Sequence, residues 1–140
     1  MLELNDVGAE LSQLEGVMAL TDVTGFGLLG HLAEMCEGSN LSAEIHYDKI
    51  PKIPGIQYYL DQKSSPGGTE RNFLSYHDKI SALTDDQKNL LFDPQTNGGL
   101  LIAVVPEAVE TCKALLRDKG ITTETFGWLN ERKQLLIEVN

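Results

Sequence analysis

Apolar residues recur along this chain with two different periods, and those periods divide it into helices and strands. Leu4, Val7, Leu11 and Leu14 follow one another at steps of three and four. That spacing predicts a first helix with a single apolar stripe, ended by Gly16. Val17 to Val23 is an apolar run too short for a helix and predicts a buried strand. A glycine-rich turn leads into a second helix expected over Leu28 to Glu37, closing near Gly38. Leu41, Ala43, Ile45 and Tyr47 then alternate with polar residues, which predicts a strand with these four on one side. Pro51 and Pro54 precede a short helix through Tyr58, Tyr59 and Leu60, and Ser64 to Thr69 is the clearest loop. Thr84 is placed to cap a helix over Asp85 to Leu91, with Asp85 and Asp86 at its positive end. Asp93 to Gly99 reads as a turn before an apolar strand from Leu100 to Val105. Pro106 opens a helix through Lys119, which Gly120 stops. Strands over Thr122 to Gly127 and Leu135 to Val139 complete an α+β chain of roughly five strands and five helices.

Composition narrows the partners. The 140 residues carry 21 acids and 11 bases, a formal charge of −10, and no Lys or Arg occurs before Lys49. Nucleic acid is a poor partner for such a surface, since phosphate binding by counterion release needs cationic side chains. No apolar run approaches the ~20 residues needed to span a bilayer. The N-terminal sequence has neither the basic nor the apolar region of a secretory signal. Cys36 and Cys112 lie inside expected helices and are read as packed thiols, neither a disulfide framework nor a metal knuckle. A cytoplasmic setting is therefore expected.

The segment Gly25-Phe26-Gly27-Leu28-Leu29-Gly30 is a literal G-x-G-x-x-G between a strand and a helix, with Asp48 about twenty residues on. Three features argue against a dinucleotide site. Asp22 ends the preceding strand, where its carboxylate would repel a pyrophosphate unless a cation intervened. The later chain lacks regular strand–helix alternation, and Gly67-Gly68 and Gly98-Gly99 imply further constrained loops. Close packing is a sufficient reason for at least Gly30. Asp22 itself has two readings: a charge at a helix N-terminus, or an oxygen ligand for Mg²⁺, which takes one or two carboxylates along with substrate phosphates.

The run Thr21-Asp22-Val23-Thr24-Gly25-Phe26-Gly27-Leu28-Leu29-Gly30-His31-Leu32 closely resembles the signature of the selenophosphate synthetases. Pro66-Gly67-Gly68-Thr69-Glu70-Arg71-Asn72 resembles that family's Pro-Gly-Gly-Thr loop. Phe92-Asp93-Pro94-Gln95-Thr96-Asn97-Gly98-Gly99-Leu100-Leu101 resembles its Asp-Pro-Gln-Thr-Ser-Gly-Gly element, with Asn97 where Ser is usual. The resemblance covers the C-terminal domain alone. The family's N-terminal ATP-binding domain, with its reactive Cys or selenocysteine, its catalytic Lys and most nucleotide contacts, has no counterpart in these residues.

The resemblance implies an α+β fold like the aminoimidazole ribonucleotide synthetase C-terminal domain, a mixed β-sheet flanked by helices, occupying residues 1–140 as a single domain. It also implies an enzyme that converts selenide, ATP and water to selenophosphate, AMP and phosphate, a cytoplasmic homodimer in its full-length form. The cofactor implied is Mg²⁺ on ATP, with Asp22 as a metal ligand. Thr24, Gly25, Gly27, Gly67, Gly68 and Thr69 are expected near the phosphates, and no residue of this chain is expected to be catalytic. Thr24 has the second option of capping the following helix. His31 is read as a hydrogen-bonded structural group, Asn72 and Arg71 as loop anchors or ligand contacts, and Trp128 and Tyr58-Tyr59 as core or domain-interface residues. His46 and His77 are given no role. A purine-pathway cyclo-ligase relative and a non-enzymatic interaction module are the alternatives. An apolar surface is expected around Asp22, where the other domain would sit.

Overall fold

Two apolar clusters, one on each side of a short antiparallel ribbon, organise the chain. The computed structural model describes residues 5–140, so Leu4 of the first expected stripe lies outside the described residues. In chain order the elements are α1 (Val7–Leu11), β1 (Val17–Asp22), α2 (Gly27–Ser39), β2 (Leu41–Ile45), α3 (Ile56–Asp61), α4 (Gly67–Tyr76), α5 (Asp85–Leu91), β3 (Leu100–Val104), α6 (Val109–Asp118), β4 (Gly127–Glu131) and β5 (Ile137–Val139). The α+β class expected from the sequence is the one observed. Its strands form two sheets: the ribbon β1–β3, and a three-stranded sheet in the order β4-β2-β5. The second is mixed, because β2 runs antiparallel to β4 and parallel to β5.

The ribbon sits between helices. Leu20 of β1 and Leu100, Ile102 and Val104 of β3 pack with Val7, Leu11, Cys112 and Leu116 of α1 and α6. Leu101 and the adjoining Val23 turn the other way, into the larger cluster with Leu29, Leu32, Ala33 and Cys36 of α2. That cluster continues through Ala43 and Ile45 of β2 to Leu91, Phe92, Leu136 and Ile137. At about 25 cal/mol per Å² of apolar area, burial on both faces of such a ribbon is what holds an otherwise marginal two-stranded sheet. β1 is nonetheless not the buried strand its apolar run suggests. It has one partner strand, and Met18 and Asp22 are exposed.

Several boundaries move for identifiable reasons. α2 runs through Gly38 and stops at Asn40, whose left-handed backbone (φ 55°) lets its N–H reach the Cys36 and Glu37 carbonyls. β2 ends at Ile45 and Tyr47 enters a 3₁₀ turn. The expected 64–69 loop is shorter than its composition suggests, since Gly67, Gly68 and Thr69 form the first turn of α4. Pro66, extended at ψ 149°, sets up that turn from outside the helix. The strand expected at Thr122–Gly127 starts where it was expected to end. Its partner β2 stops at Ile45, opposite Gly127, and only the Phe126 carbonyl extends the contact, accepting from the His46 N–H at 2.8 Å. The Thr84 cap is present as a full capping box with Gln87. Pro106 opens a 3₁₀ turn that runs into α6. Among the described residues, no helix is long and apolar enough to cross a membrane.

Cys36, fully buried in α2, and Cys112, on the inner face of α6, are free thiols. Burial pushes the Cys36 thiol up to about 11 and raises that of Cys112. Both should therefore resist iodoacetamide in the native protein at pH 8 and react fully in urea, as mass spectrometry would show. Rapid native alkylation of Cys36 would contradict this packing.

Candidate functional site

The three loops singled out in the sequence lie far apart along the chain and meet at one place. Asp22 closes β1 opposite Leu100 of β3. The ladder continues past it, with the Val23 N–H donating to the Gly99 carbonyl at 2.9 Å and the Gly98 N–H to the Val23 carbonyl at 3.0 Å. Thr24 offers its carbonyl to two amides, Gly27 N–H at 3.1 Å and Gln95 N–H at 3.0 Å. The first motif is thus tied to the third by backbone bonds alone.

Asn72 adds the second loop. This residue is 9% exposed on α4 and gives its side-chain amide to the Gly25 carbonyl at 2.8 Å and the Phe92 carbonyl at 3.0 Å. One NH₂ group thereby holds α4, the turn after Asp22 and the end of α5 together. The anchor reading of Asn72 is the observed arrangement. Arg71 beside it is exposed, with no side-chain hydrogen bond or ion pair among the described residues.

The glycines divide by role. Gly27 has φ +70°, and a Cβ there would lie 2.7 Å from the Phe92 carbonyl carbon and 2.8 Å from the Leu91 oxygen. Backbone cannot yield at such distances, so α2 can begin against α5 only with glycine at this position. A Cβ on Gly30 would come within 2.5 Å of Phe26 Cβ, which is the close packing expected of it. Gly25 and Gly67 have open space where a side chain would be, and Gly68 lies against the Pro94 ring.

His31 is a buried structural group, as expected, with a definite polarity. Its Nε2 accepts the Thr24 N–H at 3.1 Å and stands 3.1 Å from the Thr24 hydroxyl. Its Nδ1 faces the Glu34 carboxylate at 3.7 Å. Thr24 consequently does not cap α2, whose N-terminus at Phe26 has no side-chain cap. Nor is Asp22 a helix-end charge in the ordinary sense, since it precedes α2 by five residues and the first turn holds no acid.

Asp22 is exposed, and its carboxylate makes no hydrogen bond or ion pair among the described residues. Such an oxygen pair suits a hard divalent cation. Among the described residues no group of three or more His, Cys, Asp or Glu side chains is arranged to hold a metal. Asp22 is thus a single carboxylate of suitable chemistry and not part of a preformed metal site among the described residues. Asp93, raised above the usual carboxylate range by burial, is engaged locally by Gln95 Nε2 at 2.5 Å. Thr69 is 2% exposed, and its hydroxyl has no hydrogen-bond partner among the described residues.

A shallow groove of about 180 Å³ between β1 and α2, lined by Thr21, His31, Glu34 and Met35 among others, is smaller than a nucleotide pocket. Met18 and Phe26, on either side of Asp22 in sequence, are 72% and 45% exposed. Trp128, Tyr58 and Tyr59 are exposed as well and so are not core residues. Trp128 packs edge-on with His46 and under Lys49, and His77 packs on Phe73.

The dinucleotide alternative fails on topology. A βαβ unit needs its two strands in one sheet, whereas the strands flanking α2 belong to different sheets. A tightly wound two-sheet α+β domain, with an unpaired carboxylate on a turn fixed by three loops, is the class this geometry defines. Residues 1–140 match the family described as AIR synthase related protein, C-terminal domain, and the chain belongs to that family. Among curated relatives it is 50% identical over 141 residues to a selenide, water dikinase of Haemophilus influenzae, spanning 99% of this chain and 41% of that protein. It is also 50% identical over 139 residues to the selenide, water dikinase of Pseudomonas putida, covering 99% of this chain and 40% of the relative. The chain thus spans about two fifths of the length of these relatives. Among solved structures, Escherichia coli HypE, a hydrogenase maturation protein, aligns with a TM-score of 0.63 at 22% identity, over 91% of this chain and 34% of that one. That likeness shows the shared fold.

Replacing Asn72 by Leu should leave the Gly25 and Phe92 carbonyls without their donor and cost about 1–3 kcal/mol. Asn72→Asp should cost more, since it puts a carboxylate oxygen against two carbonyls. Urea denaturation of the variants measures both, and unchanged midpoints would show that Asn72 is not the anchor.

Proposed function

We propose that this chain is the C-terminal domain of a selenide, water dikinase, an ATP-dependent phosphotransferase making selenophosphate, AMP and phosphate from selenide, ATP and water. The observation that carries the reading is Asp22: an exposed carboxylate without a partner, on a turn that Asn72, Gly27 and the Gly98–Gly99 backbone hold in one conformation. Relatives about half identical over nearly the whole chain bear the same name, which supports the dikinase over the cyclo-ligase and the interaction-module alternatives.

In this reading the domain forms one wall of the ATP site, and an N-terminal domain forms the other. The exposed Met18 and Phe26 suit that contact. Asp22 would hold Mg²⁺ together with carboxylates of the other domain, and the metal, when bound, neutralises phosphate charge during phosphoryl transfer. This chain's own contribution is positional. A carboxylate whose turn is already fixed loses little conformational freedom on taking up a ligand. The amides of Gly67 and Gly68, in the first turn of α4, are available to phosphate oxygens. Homodimer formation and a cytoplasmic location belong to the same proposal.

In a full-length dikinase carrying this domain, Asp22→Asn should lower selenide-dependent ATP turnover by orders of magnitude. The melting temperature should barely move, because the carboxylate contributes no contact to the fold. Near-normal turnover would remove Asp22 from the metal site. The 140-residue chain alone should bind MgATP too weakly for calorimetry to detect in the micromolar range. A micromolar Kd would mean that it carries a complete nucleotide site of its own.

A further inference from the structure

We infer that the outer edge of β3 receives an extended, apolar segment from the part of the dikinase that precedes this domain, paired antiparallel to β3; this rests on the dikinase reading above. The inference starts from the backbone of the ribbon. In an antiparallel ladder alternate residues exchange hydrogen bonds with the partner strand, and those between them turn their N–H and C=O groups the other way. At one end of β3 the Gly99 carbonyl accepts from Val23, and at the other the Val105 N–H donates to the Gly16 carbonyl. Leu101 and Ala103, opposite Thr21 and Ala19, share the parity of these two residues. The N–H and C=O groups of Leu100, Ile102 and Val104 therefore point to the edge away from β1. None of them has a hydrogen-bond partner among the described residues.

Open edges are ordinarily blunted by a charge, a proline or a bulge. β1 has two such devices, the register shift between Val17 and Ala19 and the Asp22 carboxylate at its end. β3, Leu-Leu-Ile-Ala-Val, has none along its length. Its edge is built to be covered.

The way the chain enters α1 points to the occupant. Asn5 Nδ2 donates to Asn97 Oδ1 at 3.1 Å, three residues ahead of Leu100. Val7 and Leu11 of α1 then pack in one cluster with Leu100, Ile102 and Val104. The polypeptide thus comes to α1 from the Leu100 end of β3, and a segment reaching that point along β3 runs opposite to it. That segment is parallel to β1, with α1 as the crossover and β3 between the two strands. Because apolar clusters cover both faces of the ribbon, a strand added to it is apolar on both sides. The chain spans about two fifths of its curated relatives, so a dikinase of their length has the polypeptide to supply such a strand. A third strand also makes a stable sheet of a ribbon that is marginal with two.

The test is hydrogen exchange at single-amide resolution, by mass spectrometry, on the full-length dikinase carrying this domain. The amides of Leu100, Ile102 and Val104 should exchange about 100-fold or more slowly than in an unfolded chain, as slowly as those of Leu101 and Ala103. Fast exchange at the first three beside slow exchange at the other two would show an open edge and overturn the inference. Photo-leucine in place of leucine then identifies the occupant, in protein mixed from unlabelled and nitrogen-15-labelled subunits. Crosslinks from Leu100 or Leu101 should include a segment ahead of Asn5 in the same chain. Crosslinks confined to residues 5–140, or mixed-isotope crosslinks from one β3 to another, would overturn the inference, the second by giving the edge to another copy. Neither measurement reads activity. A full-length protein that makes no selenophosphate from selenide, ATP and water would instead overturn the dikinase reading, whatever its exchange pattern.

Discussion

One carboxamide decides how the site end of this domain is assembled. Both hydrogens of the Asn72 amide go to backbone carbonyls, Gly25 on the turn after β1 and Phe92 at the end of α5. Neither carbonyl has a regular secondary-structure partner at that point, and buried acceptors left unpaired are costly. A single side chain therefore joins three segments separated by 20 and 47 residues. The approach it permits is so close that Gly27 touches the Phe92 backbone with no room for a Cβ.

From that junction the position of Asp22 follows. The antiparallel register sets it opposite Leu100, and the Val23–Gly99 and Gly98–Val23 bonds extend the pairing beyond the strand. Apolar clusters above and below the ribbon prevent it from slipping, since a one-residue shift would turn Leu20 away from its cluster with Val7, Leu11 and Leu116. The carboxylate is thus carried on a fixed turn yet makes no hydrogen bond or ion pair among the described residues. Along the turn the backbone and the glycines hold the fold, and the Asp22 carboxylate takes no part in it among the described residues.

The G-x-G-x-x-G run shows how the same letters serve different physics. In a dinucleotide fold such glycines let a pyrophosphate approach the backbone. Here Gly27 and Gly30 let protein approach protein, at Phe92 and at Phe26. Asp22 in front of the run would repel a bare phosphate, and His31 Nε2 is engaged by the Thr24 N–H within the protein.

Much of the fold was legible in the chain because it depends on local spacing. The Thr84 cap, the β3 run from Leu100 and the Pro106 and Gly120 boundaries of the last helix all follow from neighbours within a few residues. What the sequence could not settle was decided by partners distant along the chain. The strand after Thr122 waited for β2 to end, so β-branched propensity at 122–125 had no ladder to join. Gly67 and Gly68 became helical because α4 packs on α2 and α5, overriding their turn composition. The β-structure split into two sheets, and β1 stayed half exposed, because each strand takes what partners the packed helices leave it. That Asn72 points at Gly25 and Phe92, and that His31 accepts from Thr24, are facts of side-chain direction in three dimensions. Hydrophobic periodicity reports which face of an element is inward, but it carries no information on which buried donor meets which acceptor.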